Sequence, residues 1–238
     1  MIPKKIHLLW FSNEKKSRFI RRCIKSWEKA MPDYEIRVWD GDSFDFNSVP
    51  FVKQAYEAKK WAFVSDYIRL YALYTEGGVY LDSDVKTFKR FDEFLNEDMF
   101  IGLELLGPEI IELEAAIMGA EAGHPFLKEC MDRYESMDFD FKTVPTCPEL
   151  MSSVLIPYGM KRVNENQLVH AGKNVKILDL NYFGHLWGTK PGDYYAVHYY
   201  TASWRETPRG RMYKWCQRND FMDSYLRLQK LTNFSRRK

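Results

Sequence analysis

The chain has 238 residues, 45% hydrophobic and 16% aromatic, which is enough apolar surface for a substantial core in one domain. With 35 basic against 33 acidic residues the net charge is only +2, so no strong positive field marks a nucleic-acid partner. No apolar run approaches the ~20 residues that span a bilayer, and the start lacks the long apolar stretch of a signal peptide. Cys23, Cys130, Cys147 and Cys216 form no C-x-x-C pair, which fits reduced thiols in a cytosolic protein rather than a disulfide frame or zinc site.

Ile6, Leu8 and Leu9 begin a first strand that ends at Trp10, and a polar loop follows from Ser12 to Lys16. Ser17 suits the cap of a helix running to Ala30, with Phe19, Cys23, Trp27 and Ala30 along one side. Pro32-Asp33 turns the chain into an alternating strand over Tyr34 to Trp39. Strand, helix, strand at this spacing opens a parallel α/β sheet, in which ligands bind beyond the carboxyl ends of strands. Trp10 sits at such an end, where an indole is either core or a flat platform for a nucleotide base. Asp40 to Asn47 reads as a polar loop and Val52 to Ala62 as a helix.

The stretch Trp61 to Lys86 concentrates the chemistry. Ser65 is a candidate helix cap, and Tyr67, Leu70, Tyr71 and Tyr74 then recur at helical spacing on one face. Asp66 and Arg69 lie three apart on another face, as a surface ion pair or as part of a site. Gly77 and Gly78 stop the helix, because glycine takes left-handed conformations without steric cost. Val79, Tyr80 and Leu81 make a short buried strand ending in Asp82-Ser83-Asp84. Two acids on one side of a strand end repel each other unless a positive charge joins them. An isolated D-x-D is more often a solvated turn. The buried run before this one and its Gly-Gly turn favour a site for a hard divalent cation such as Mg²⁺ or Mn²⁺.

Val85 to Phe88 continues as a strand, Phe91 to Leu95 as a short helix, and Phe100 to Glu104 as another strand. Leu106 to Glu114 is loop-like and acidic, and Ala116 to Met118 a strand. Gly123-His124-Pro125-Phe126 opens a helix to about Tyr134, with His124 as a loop or cap residue. Glu149 to Ile156 is a helix, Val175 to Leu180 a strand, and Tyr195 to Tyr200 a strand carrying His198. An amphipathic helix from Gly210 to Leu231 places Trp215, Phe221, Met222, Tyr225 and Leu226 beside Lys214, Arg218 and Arg227, before a tail ending Arg236-Arg237-Lys238. It either packs on the domain or lies on an anionic membrane surface.

S-D-Y-x-R followed by L-Y-x-x-G-G-V-Y-L-D-S-D-V resembles the DXD-motif sugar transferases of glycosyltransferase family 32. That family includes yeast-type α-mannosyltransferases and bacterial surface-polysaccharide transferases, and is related to clostridial glucosylating toxins. I-P-K-K-I-H-L-L-W at the start and Ser203-Trp204 extend the resemblance from Ile2 to about Trp204. It implies an α/β fold of the GT-A type, a mostly parallel central sheet flanked by helices, as a single domain over residues 1–238 with its final helix and basic tail at about 209–238. It also implies that Trp10 contacts the donor's base, that His198 completes the metal shell, and that Ser203 and Trp204 close over the donor diphosphate. Two departures stand out. Glu114 and Ala115 occupy positions where family members often carry asparagines, and Cys147 stands in Thr146-Cys147-Pro148 where Thr-Gly-Pro is common.

On this reading Asp84 binds the metal directly and Asp82 serves metal and ribose. Asp66 accepts hydrogen bonds from the donor sugar, and Arg69 offers its donor fork to the sugar or diphosphate. The expected reaction is metal-dependent transfer from a nucleoside-diphosphate sugar, UDP- before GDP-linked, to a saccharide acceptor in surface-polysaccharide synthesis, with retention of configuration. Two other classes compete: a metal-dependent phosphoesterase, and a carbohydrate-binding module without catalysis. The expected setting is the cytoplasm, with a lipid-linked acceptor bringing the enzyme to the inner face of the membrane.

Overall fold

β1 (Lys5–Leu9), α1 (Arg18–Ala30) and β2 (Glu35–Trp39) form the expected opening, the two strands parallel from Lys5 beside Glu35 to Leu9 beside Trp39. Ser17 Oγ accepts the Ile20 N–H at 3.2 Å, capping α1 as its position predicts. The structure is a computed structural model and describes residues 1–11, 14–105, 110–184, 194–201, 211–219, 221–222 and 224–225. The chain continues through α2 (Pro50–Glu57), α3 (Trp61–Glu76), β3 (Gly78–Leu81), β4 (Val85–Thr87), β5 (Met99–Leu105) and β6 (Ile111–Ala120). Then follow α4 (Pro125–Glu135), α5 (Cys147–Leu155), β7 (Gln167–Ala171), β8 (Lys173–Leu178), β9 (Phe183–Gly184), β10 (Ala196–His198) and α6 (Arg211–Asn219).

Seven strands form the central sheet in the order β2-β1-β3-β6-β5-β8-β7. Five of them run the same way; β6 and β7 are reversed. Alternation along the strands splits the interior into two cores. Tyr80, Met99, Ile101, Leu103 and Met118 face the layer of α2 to α5, whereas Val79, Leu81, Phe100 and Ile117 face Trp27 of α1 and the Phe91–Phe94 region. A second sheet, β4-β10-β9, lies beside the end of β3.

Several expected boundaries shift. Ser65 does not cap a helix: α3 already begins at Trp61, and Ser65 Oγ donates to the Trp61 carbonyl within it at 2.9 Å. The helix expected over Val52 to Ala62 breaks at 58–60, because Lys59 takes φ +56°. Its N–H reaches Tyr56 O at 2.9 Å and the Lys60 N–H reaches Ala55 O at 2.9 Å, a Schellman ending with lysine in the usual glycine place. Gly77 does end α3, but at φ +62° and ψ 177°, an extended positive-φ conformation open essentially to glycine alone. A Cβ there would lie 2.8 Å from Ala122 N.

The acidic stretch to Glu114 is not all loop, since β6 starts at Ile111 and buries Glu112 and Glu114. Residues 106–109 of that expected loop lie outside the described residues. α5 begins at Cys147, two residues before the expected start, so Cys147 sits in ordinary helical conformation at the position where the family resemblance implies glycine. Of the helix expected over Gly210 to Leu231, α6 covers Arg211–Asn219 and is interrupted at Phe221, whose N–H bonds Cys216 O at 2.8 Å, while Gly210, residues 226–231 and the basic tail ending Arg236-Arg237-Lys238 lie outside the described residues. Its Tyr213 and Cys216 pack against Phe19, Ile20 and Cys23 of α1. No helix of the described residues is long and apolar enough to cross a membrane.

Candidate active site

The central strand β3 delivers Asp82-Ser83-Asp84 to an open cleft of about 930 Å³. The Asp82 N–H bonds Ala116 O at 3.0 Å, and the Val85 N–H closes the turn on Asp82 O at 2.9 Å. β4 then pairs antiparallel with β10, Val85 opposite His198, which brings residues 113 positions apart in the chain together. Oxygens of Asp82 and Asp84 and a ring nitrogen of His198 all lie within 4.8 Å of one another. His198 Nε2 is 3.3 Å from Asp84 Oδ1 and 3.8 Å from Asp82 Oδ2. The other Asp84 oxygen accepts the Thr201 N–H at 2.8 Å and the Thr201 hydroxyl at 2.7 Å, so Oδ1 is the one turned to His198.

Two carboxylates and an imidazole whose far nitrogen already rests on a carboxylate, Glu114, are a donor set that fits a divalent cation. Burial opposes charge at Asp84, yet His198 and the Thr201 bonds hold its carboxyl well below the usual carboxylate range. Burial likewise opposes charge on His198, but Asp84 and Glu114 raise its pKa well above an ordinary imidazole. A proton thus joins the acids where a cation would.

Asp66 and Arg69 face the same cleft from α3. They are no surface pair: both are buried, 7% and 6% exposed, with Arg69 Nη2 2.8 Å from Asp66 Oδ1. The guanidinium also donates from Nη1 to Ala115 O at 2.9 Å, lies 3.7 Å from Asp82, and sits over the Tyr80 ring at 4.9 Å. Burial pushes the Asp66 carboxyl up to about 6, against the pull of Arg69. Tyr80, whose hydroxyl donates to Asp82, belongs to this group although its position in the sequence reads only as core.

Trp10 lines the cleft just beyond β1, half-buried, its indole N–H on Glu14 O at 3.1 Å and Lys16 over its ring at 4.7 Å. Ser203 and Trp204 lie outside the described residues. Besides Tyr80, the residues that sequence reasoning missed are Glu104, Glu114, Tyr200 and Thr201. Burial, with Glu114 beside it, pushes Glu104 up to about 9. The one local signal for any of them was the departure from asparagine at position 114.

Residues 17–101 match the family described as glycosyltransferase sugar-binding region containing DXD motif. Inositol phosphoceramide mannosyltransferase 3 of Schizosaccharomyces pombe is 29% identical over 144 residues, 59% of this chain and 39% of that protein. Initiation-specific alpha-1,6-mannosyltransferase of Candida albicans is 29% identical over 124 residues, 48% of this chain and 32% of that protein. The chain therefore spans well under half the length of these relatives. The apo-form glycosyltransferase GlyE of Streptococcus pneumoniae TIGR4 superimposes with a TM-score of 0.50 at 9% identity, covering 98% of this chain and 64% of that one, a likeness of fold alone. Residues 17–101 are thus similar to the DXD-containing sugar-binding region of glycosyltransferases, on a fold of the GT-A type.

Proposed function

We propose that this chain is a metal-dependent, retaining glycosyltransferase that moves a sugar from a nucleoside-diphosphate donor to a saccharide acceptor in surface-polysaccharide synthesis. The observation that carries the reading is the convergence of Asp82, Asp84 and His198 beside the buried Asp66–Arg69 pair in one cleft. Asp82, Asp84 and His198 would hold Mn²⁺ or Mg²⁺, which would supply Lewis-acid stabilisation of the leaving diphosphate. Asp82 also orients the ribose, while Asp66, aligned by Arg69, accepts hydrogen bonds from the donor sugar. Trp10 stacks on the base, and Ser203 and Trp204 close over the diphosphate and exclude water. The acceptor hydroxyl attacks from the leaving-group face; retention and the preference for UDP over GDP rest on the family resemblance. Both fungal relatives are named mannosyltransferases, so GDP-mannose belongs in the donor panel. The test is hydrolysis of UDP- and GDP-sugars with Mn²⁺. Turnover of at least one donor, abolished by EDTA and in Asp84→Asn, is expected; release of phosphate from simple esters without sugar transfer would favour a phosphoesterase instead.

The same proposal places the enzyme at the cytoplasmic face of a membrane, near a lipid-linked acceptor. α6 exposes Met212, Trp215 and, just beyond it, Phe221, at 65%, 52% and 49%, with Trp215 and Phe221 stacked at 5.2 Å. The exposed Arg211, Lys214 and Arg218 flank them, a combination suited to anionic lipid. Vesicles with anionic lipid should retain the protein at low salt and release it at high salt, and equal partitioning with neutral vesicles would defeat the idea.

A further inference from the structure

Glu114 is a buried carboxylate on a strand, 4% exposed, and such a group is costly unless its oxygens are satisfied. Three donors satisfy it. The Ala116 N–H bonds Oε1 at 3.0 Å, His198 Nδ1 bonds Oε1 at 3.2 Å, and the Tyr200 hydroxyl bonds Oε2 at 2.6 Å. The strand is shaped for this. The register of β5 against β6 skips from Ile101–Met118 to Gly102–Glu114, an irregularity of the kind that re-aims side chains beside sites. Tyr200 holds φ +46°, rare for a non-glycine residue, and its ring lies 4.0 Å from that of His198. A hydroxyl on one carboxylate oxygen, an imidazole on the other and a ring against the imidazole leave His198 one orientation.

We infer that Glu114 is a positioning residue for the metal site: it accepts the Nδ1 proton of His198 and so turns Nε2 toward Asp82 and Asp84. A carboxylate can only accept, so Nδ1 keeps its proton against Glu114, and it is the Nε2 proton shared with Asp84 that a cation would displace to use the Nε2 lone pair. Carboxylates of this kind raise the basicity of imidazole ligands and fix their tautomer. The assignment gives a role to the departure from asparagine at this position. It rests on the metal-dependent reading above.

The test titrates the full chain with Mn²⁺ alone, read by electron paramagnetic resonance. Glu114→Gln should raise the Mn²⁺ dissociation constant about 10–100-fold and weaken the His198 nitrogen modulation in the pulsed spectrum of bound Mn²⁺. Glu112→Gln removes a second buried carboxylate from the same strand, one that pairs with Arg162 at 2.9 Å instead, and should leave the affinity within about twofold. Should Glu114→Gln fail to fold, Tyr200→Phe removes the hydroxyl that Glu114 shares with Glu104, and should weaken binding about fivefold. Wild-type affinity and full nitrogen modulation in folded Glu114→Gln, unchanged affinity in Tyr200→Phe, or an equal loss in Glu112→Gln would overturn this inference while the metal reading stands. Wild-type protein that binds no Mn²⁺ would bring down both.

Discussion

Burial alone would lower the pKa of both the buried His7 and the largely enclosed His198, yet the two shift in opposite directions. His7 Nδ1 accepts the Trp39 indole N–H at 3.0 Å, so its Nε2 must carry the proton that it donates to Gly77 O at 2.7 Å. Burial then lowers its pKa, the Gly77 carbonyl and Glu76 raising it less, with Lys5 and Arg37 adding to the lowering. His198 is opposed by burial too, but Asp84 and Glu114 win and its pKa rises. The charge of the nearest neighbours, not depth, separates a structural histidine from one in a site. The comparison breaks most sharply by mutation. His198→Ala should cut metal-dependent donor turnover by more than about 100-fold, beyond the range for outer partners of metal ligands. His7→Gln should act on stability instead. Steady-state turnover beside chemical denaturation separates the two, and comparable turnover losses in both variants would erase the distinction.

The arginines repeat the contrast. Arg90 makes the shorter ion pairs, 2.6 Å to Asp33 and 2.7 Å to Asp92, yet it is exposed, where screening leaves such pairs little weight. Arg69 has one close pair, at 2.8 Å, but in the cleft wall and shared with the Ala115 carbonyl. A lysine cannot hold both with its single ammonium group. Arg69→Lys should therefore lower kcat/KM about tenfold or more, while Arg90→Lys leaves turnover and melting temperature at wild-type values. Unchanged kcat/KM in Arg69→Lys would mean that the pair is merely structural.

The histidines differ next in how stability follows pH. His7 binds its proton in the unfolded chain below about 6.5 but resists it when folded, so the unfolded state takes up more protons as pH falls. Its contribution is complete above pH 6.5 and declines below it by up to about 1.4 kcal/mol per unit, until the lowered folded pKa is reached. The cost of His7→Gln, about 2 kcal/mol for two lost hydrogen bonds, should thus be largest near pH 8 and shrink by pH 5.5. Urea denaturation of both proteins at the two pH values measures it. A cost independent of pH would show that His7 titrates alike in both states.

The parts of the site carried by one continuous segment were legible in the sequence. The run from Asp66 to Asp84 encodes its helix face, its glycine stop and its strand end locally, and the structure brings these elements together in one cleft. Glu112 and Glu114 were misread as loop because their charges look exposed; their partners Arg162, His198 and Tyr200 lie 50, 84 and 86 residues away. Thr201 escaped for the same reason, its partner Asp84 lying 117 residues away, whereas Tyr80 bonds Asp82 only two residues on and escaped because a tyrosine in a buried run reads as core. Sheet order was beyond reach as well: nothing local in β6 announces that it inserts, reversed, between β3 and β5.

Helix ends give the smallest test of the same principle. α3 ends on Gly77 at φ +62° and was predicted from its glycines; α2 ends on Lys59 at φ +56° and was not, because lysine carries no such signal. An L-residue in that region pays about 1–2 kcal/mol, while glycine adds about 0.5–1 kcal/mol of unfolded-state entropy. Lys59→Gly should therefore stabilise the fold by about 0.5–1 kcal/mol, read as a raised denaturation midpoint at constant m-value. Lys59→Ala keeps the Cβ and its strain, and should gain nothing. If alanine stabilises as much as glycine, the lysine side chain rather than the backbone is the source of the cost, and the two helix ends differ for another reason.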